Sequence, residues 1–108
     1  MPNDLYVAET ILQQLGDRRF KVMTGCHNFV GDKNSLRFSL PTDLEIKDNI
    51  NQVTIILEPD DTYTMVFIRK NHSNLGVSST VPIHRFTGVY CDMLQDMFTT
   101  YTGLYTHL

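Results

Sequence analysis

Gly88-Val89-Tyr90-Cys91-Asp92-Met93-Leu94-Gln95-Asp96-Met97-Phe98-Thr99-Thr100-Tyr101-Thr102-Gly103-Leu104-Tyr105-Thr106-His107-Leu108 closes the chain with its densest apolar stripe. Val89, Tyr90, Met93, Leu94, Met97, Phe98 and Tyr101 recur at steps of three and four, which lines them up on one face of a helix of roughly 3.6 residues per turn. Asp92, Gln95, Asp96, Thr99 and Thr100 fall on the other face. The pattern predicts an amphipathic helix that starts at Thr87 or Gly88, stops at Gly103 and needs a surface to cover. Leu104, Tyr105 and Leu108 are apolar enough to fold back onto that surface.

The surface is a sheet upstream. Residues 35–40 alternate, with Leu36, Phe38 and Leu40 inward and Ser35, Arg37 and Ser39 outward, until Pro41 stops the strand. Residues 52–58 and 63–69 make a hairpin around the turn Pro59-Asp60-Asp61-Thr62. Because both sides of residues 63–69 are largely apolar, this strand is expected to be central or covered on both faces. A short fifth strand is expected at 81–86, confined to an edge by Pro82.

Nearer the N-terminus, residues 4–15 read as a helix capped by Asn3 or Asp4 and ended by Gly16, with Leu5, Ala8, Ile11, Leu12 and Leu15 on one face. Glu9, Gln13 and Gln14 then form a solvated face. Phe20 and Val22 suit a first strand over residues 19–24. Residues 24–34 are rich in turn formers and read as a loop in which Gly25 and Gly31 supply unusual backbone angles. Residues 42–51 read as a polar loop, and 70–80 as a loop and the best candidate for a mobile segment. The predicted fold is α+β: a two-layer sandwich, an antiparallel sheet of four or five strands with the N-terminal and C-terminal helices packed on one face, in a single domain over residues 1–108.

Composition agrees with that architecture. In 108 residues, 42% apolar and 19% charged content is that of an ordered globular chain long enough to bury a core. The N-terminus lacks a basic start followed by an apolar run, and no window approaches the ~18 apolar residues of a membrane span. A cytoplasmic protein without membrane contact is expected. Cys26 and Cys91 then read as free thiols.

Chemistry-bearing motifs are sparse. Cys26-His27 raises the possibility of a nucleophile and base, but adjacent side chains rarely face each other and no orienting residue marks itself. Cys26, His27, His84 and Cys91 lack the paired spacing of a zinc site, and Gly25 and Gly31 lack the ending of a phosphate loop. Asp60 and Asp61 are explained by their turn, Asp92 and Asp96 by a solubilising helix face. No catalytic residue, metal or cofactor is expected.

Charge placement carries more. Arg18, Arg19, Lys21, Lys33 and Arg37 stand against Asp32 alone in residues 18–37, a net +4. Asp43, Glu45, Asp48, Glu58, Asp60 and Asp61 stand against Lys47 in residues 43–61, a net −5 in a chain of net −3. The acidic group is a candidate patch for docking a basic protein surface. The basic group, with Phe29 to stack a base, is a candidate nucleic-acid site.

Gln14-Leu15-Gly16, Arg19-Phe20, Met23-Thr24-Gly25, Asn28-Phe29-Val30, Asn34-Ser35-Leu36-Arg37-Phe38, then Tyr90, Asp92, Leu94, Phe98 and Thr102-Gly103-Leu104-Tyr105 together resemble a family of small phage and prophage proteins. The pattern spans nearly the whole chain, departing at Asp17, where a second glycine is usual, and at Cys26, where alanine is common. The family has no assigned activity, so the resemblance implies a setting, a bacterial host cell, and no mechanism. In that setting the expected function is stoichiometric binding of a host or phage protein complex, as an anti-CRISPR-like inhibitor of a nucleic-acid-handling defence. The alternative is a nucleic-acid-binding module using residues 18–37. Monomer and dimer are both compatible with the sequence.

Overall fold

The computed structural model describes residues 5–41, 45–72 and 78–106. Five strands form one antiparallel sheet in chain order: β1 (His27–Gly31), β2 (Ser35–Ser39), β3 (Gln52–Leu57), β4 (Tyr63–His72) and β5 (Ser78–Val89). The helices α1 (Tyr6–Leu15), α2 (Asp17–Thr24) and α3 (Leu94–Thr102) send Ile11, Leu15, Phe20, Leu94 and Phe98 into a core shared with Leu36, Phe38, Val53, Ile55, Met65 and Phe67. The protein is therefore α+β, with its helices on one face of the sheet.

Alternation and register agree in β2, β3 and β4. Leu36 pairs with Ile55, Ile55 with Met65 and Met65 with Phe86, while Phe38, Val53, Phe67 and His84 form the next inward row. Slippage by one residue would turn every one of these side chains to the opposite face, so burial fixes the register.

Residues 19–24 are helix, not the expected first strand. Phe20 and Thr24, four apart, are both buried, whereas Val22 is 73% exposed, so the segment buries every fourth residue and not every second. The Thr24 hydroxyl donates to the Phe20 carbonyl at 2.7 Å. Gly25 has the unusual backbone angle expected of it, φ +74, but uses it to end α2, its N–H donating to the Lys21 carbonyl, whereas Gly31 is not among the glycines of positive φ. The strand missing from the count is β1, inside the expected loop. There Gly31 serves close approach: a Cβ at this position would lie 2.8 Å from both Ala8 Cβ and Leu5 Cδ2, so the missing side chain lets α1 settle against the sheet.

β5 occupies an edge, as Pro82 requires, but it is twelve residues long instead of short. It takes Gly88 and Val89, so α3 begins only at Leu94, after a 3-10 turn at Cys91–Met93. Gly88, at φ +67, lies where the β4–β5 register shifts and does not open a helix. Tyr90 and Met93 are exposed in consequence, while Leu94, Phe98 and Thr102 keep the inward stripe up to Gly103 at φ +83. Leu104 packs back on the core and Thr106 is buried, but Tyr105 is 69% exposed.

β4 is the neighbour of an edge strand, not the central one. Residues 70–72 and 78–80 of the expected loop are paired strand; 73–77 lie outside the described residues, as do Asn3, Asp4, His107 and Leu108. Gln14 is not solvated as expected: its Oε1 is buried, and its side chain lies beside Tyr63, whose phenol burial pushes above its usual pKa. Between β2 and β3 the 3-10 turn Lys47–Asn49 is held to α3 by Lys47 Nζ, which donates to the Thr100 carbonyl at 3.0 Å.

The helical assignment of residues 17–24 separates two substitutions. Phe20→Ala should cost roughly 3–5 kcal/mol, lowering Tm by more than about 12 °C. Val22→Gln should stay within ~0.5 kcal/mol in denaturant titration, since it changes an exposed helical position.

Candidate functional site

The sequence-derived candidates separate in space. Cys26 is buried, and burial pushes its thiol up to about 11, outweighing the opposing hydrogen bond from Thr24. His27 is exposed, with Nδ1 3.2 Å from the Gly25 carbonyl oxygen. A protonated, enclosed thiol is a poor nucleophile. His84 lies on β5 within an aromatic group formed with Phe67, Phe86 and Tyr101, its Nε2 3.2 Å from Asp48 Oδ2. Cys26 and Cys91 are free, and among the described residues no three histidine, cysteine or carboxylate side chains converge as metal ligands. No helix among them is long and apolar enough to cross a membrane.

The acidic candidates form two groups. Glu58, Asp60 and Asp61 sit at the β3–β4 turn, whereas Glu45 and Asp48 flank the start of β3. Six strand residues separate the groups, about 20 Å at the usual rise. Asp43 lies outside the described residues. Asp60 Oδ1 accepts from the Thr62 hydroxyl at 2.6 Å and from its N–H at 3.1 Å, and these bonds hold its carboxyl below its ordinary pKa. Glu58 Oε1 accepts from the Thr64 hydroxyl at 2.9 Å. Both carboxylates thus serve the turn.

The basic candidates also divide. Arg18, Arg19 and Lys21 are exposed on α2, on the helical side of the sheet; Lys33 is in the β1–β2 turn, and Arg37 points out of the opposite face. Phe29 is not the free stacking surface expected. It is half-buried, stacked on Phe38 at 5.4 Å, with Lys21 Nζ 5.0 Å from its ring centroid. The aromatic face is consumed by the core.

The face opposite the helices was missed by sequence reasoning. One in-register row across it reads Arg37, Thr54, Val66, Arg85 from β2 to β5. Ser35, Ile56 and Thr64 form the row toward the β3–β4 turn, and Ser39, Gln52, Ile68 and Pro82 the row on the other side. Ile56, Val66 and Ile68 are half-buried by their neighbours in the sheet yet stand apart from the core cluster. Arg37 and Arg85 are exposed, without a carboxylate partner among the described residues. Arg85 lines a shallow cleft of about 510 Å³ with Glu58, Asp60, Thr64 and Thr87, and Arg37 lines one of about 150 Å³ with Asp32, Ser35 and Thr54. The available signal was the alternation of β2 and β4, but pairing Arg37 with Arg85 requires the register of four strands.

No protein-family model matches the chain, and no curated protein or solved structure is significantly similar to it.

Two chemical outcomes follow. Native protein treated with iodoacetamide near pH 8 should take one adduct, at exposed Cys91, and denatured protein two, as counted by mass spectrometry; Cys26 should react appreciably only as pH nears 11. Because Asp60's folded pKa is depressed, it stabilises the fold above the ordinary carboxyl value of 3.8, and that contribution is lost as pH falls through the lower folded value. Asp60→Ala should therefore melt below wild type at pH 7, with the gap closing in acid.

Proposed function

We propose that this chain is a small phage or mobile-element accessory protein that acts by stoichiometric binding, occupying a surface of a host nucleic-acid-handling complex and so inhibiting an anti-phage defence. The observation that carries the binding reading is the sheet face whose aliphatic residues Ile56, Val66 and Ile68 stand apart from the core. Contiguous apolar surface rimmed by polar groups is the chemistry of a macromolecular contact. The setting rests on the resemblance to small phage proteins. Asp17, where that pattern carries glycine, takes φ +52, a conformation glycine adopts without strain. The acidic residues enter this reading as a rim: Glu58, Asp60 and Asp61 border one end of the face and can compete for part of the nucleic-acid path on the target.

A second reading, direct nucleic-acid binding, is favoured by Arg18, Arg19 and Lys21, exposed together on α2. It has to operate without Phe29 as a stacking platform and without Arg37 on the same face.

The test is phage plating on a bacterium carrying a defined nuclease-based defence, with and without expression of this chain. Inhibition predicts restored plaquing and, with purified components, loss of nuclease activity saturating at a fixed ratio of chain to complex. Unchanged plaquing across a panel of such systems would count against the reading. Salt-dependent retardation of labelled DNA by the chain alone would favour the second one.

A further inference from the structure

We infer that a cleft crossing β1 to β4 at one end of the sheet is a binding site for a small phosphorylated polyol, such as a sugar phosphate. The inference goes beyond the macromolecular contact proposed above and does not depend on it. The cleft holds about 340 Å³, the lower end of the range for small-ligand sites. Each strand supplies part of its lining: His27 and Asn28 from β1, Ser39 from β2, Gln52 from β3 and Lys70 from β4. Register brings them together. His27 pairs with Ser39 and Ser39 with Gln52, while Lys70 lies two residues beyond Ile68, the partner of Gln52, and so returns to the same face. Successive strand residues point to opposite faces, yet His27 and Asn28 both line the cleft. The register shift between His27 and Val30, with Asn28 at φ +56, re-aims the second side chain.

The lining selects the occupant. The clefts at Arg85, at Arg37 and at the end of α3 all carry carboxylates: Glu58 and Asp60 in the first, Asp32 in the second, Asp96 in the third. Among the described residues this cleft carries none, and its ammonium, that of Lys70, has no carboxylate at ion-pair distance. Lys70 is also held in place. Asn51 Oδ1 accepts from its N–H at 2.8 Å, and Asn51 Nδ2 donates to its carbonyl at 2.9 Å. A lysine fixed at one end of an otherwise neutral cleft is a point charge for a phosphate. The remaining groups suit hydroxyls. Asn28 and Gln52 amides and the Ser39 hydroxyl both donate and accept. His27 Nδ1 lies 3.2 Å from the Gly25 carbonyl oxygen, which can only accept, so Nδ1 carries the proton and the neutral ring offers Nε2 as an acceptor. No phenylalanine or tyrosine lines the cleft, so a nucleobase finds no such stacking platform. β1 and β4 stand three strand spacings apart, about 14 Å. A phosphate at Lys70 therefore leaves room for several hydroxylated carbons running toward His27.

The test is amide chemical-shift mapping on the full chain with ribose 5-phosphate, beside ribose and inorganic phosphate as comparison probes, all at one ionic strength. The expected result is shifts centred on His27, Asn28, Ser39, Gln52 and Lys70, with ribose 5-phosphate binding more tightly than either comparison probe. In K70Q the affinity should fall roughly fivefold, to the level of ribose. Asn51 bonds the main chain of Lys70, so K70Q keeps both of those hydrogen bonds, and a melting curve unchanged from wild type checks that the fold survives. No shifts at millimolar probe would overturn the site, as would equal affinity in K70Q or shifts spread equally over the α2 cations. Inorganic phosphate binding as tightly as the ester would remove the polyol, and a thymidine dodecamer binding more tightly at the same residues would replace it with a nucleic-acid strand; either overturns the inference. Plaque restoration, which tests the inhibitor reading, is independent of all these outcomes.

Discussion

Phe20 meets Phe98 and Phe38 edge-on at the junction of α2, β2 and α3, with ring centroids 5.0 Å and 5.4 Å away, and Phe38 and Phe98 lie tilted to each other at 6.1 Å. Phe29 joins from β1, stacked on Phe38, so four elements are tied through one aromatic cluster. Such contacts add to the area that each ring buries. Gly16 directs the chain into this cluster: at φ +123 it caps α1 and opens α2, and Gln95 of α3 donates to the Leu15 carbonyl at the same joint. Three helices therefore gather on one side of a five-stranded sheet.

That concentration has a consequence for the other side. The described helices all spend their apolar stripes on the inward rows, and the outward rows are left to threonine, serine, isoleucine, valine, glutamine, proline and two arginines. Antiparallel sheets can leave one face to solvent, and Ile56, Val66 and Ile68 lie half-buried on it. The edges are less inviting to a partner. β5 is interrupted by Pro82 and two register shifts, and β1 is short and irregular in its pairing with β2, features that discourage edge-to-edge addition.

Distribution of charge acquires a different meaning in the fold than along the chain. Carboxylates consecutive at the β3–β4 turn serve hydrogen bonds of that turn, and the acidic run of 43–61 divides between the two ends of a strand. The basic run divides between a helix and the opposite sheet face. Arg37 shares a row of the sheet with Arg85, a cation outside its run that linear counting assigned to no group.

Local sequence determined the elements whose burial period is long enough to read: α1 with its Gly16 stop, β2, the β3–β4 hairpin, and the inward stripe of α3 ending at Gly103. It misassigned residues 19–24 because six residues with Phe20 and Val22 two apart satisfy a strand period, and only the packing of Phe20 and Thr24 distinguishes the helix. It passed over β1 because an edge strand with one core-packed aromatic, Phe29, has little hydrophobic alternation to show. It began the last helix too early because Val89 and Tyr90 fit a helical stripe and equally end a strand. The open face and its cations were beyond sequence reading for a further reason. Alternation tells which residues of a strand share a side, but which residues of different strands stand in one row is set by register, and register by the burial of the whole core.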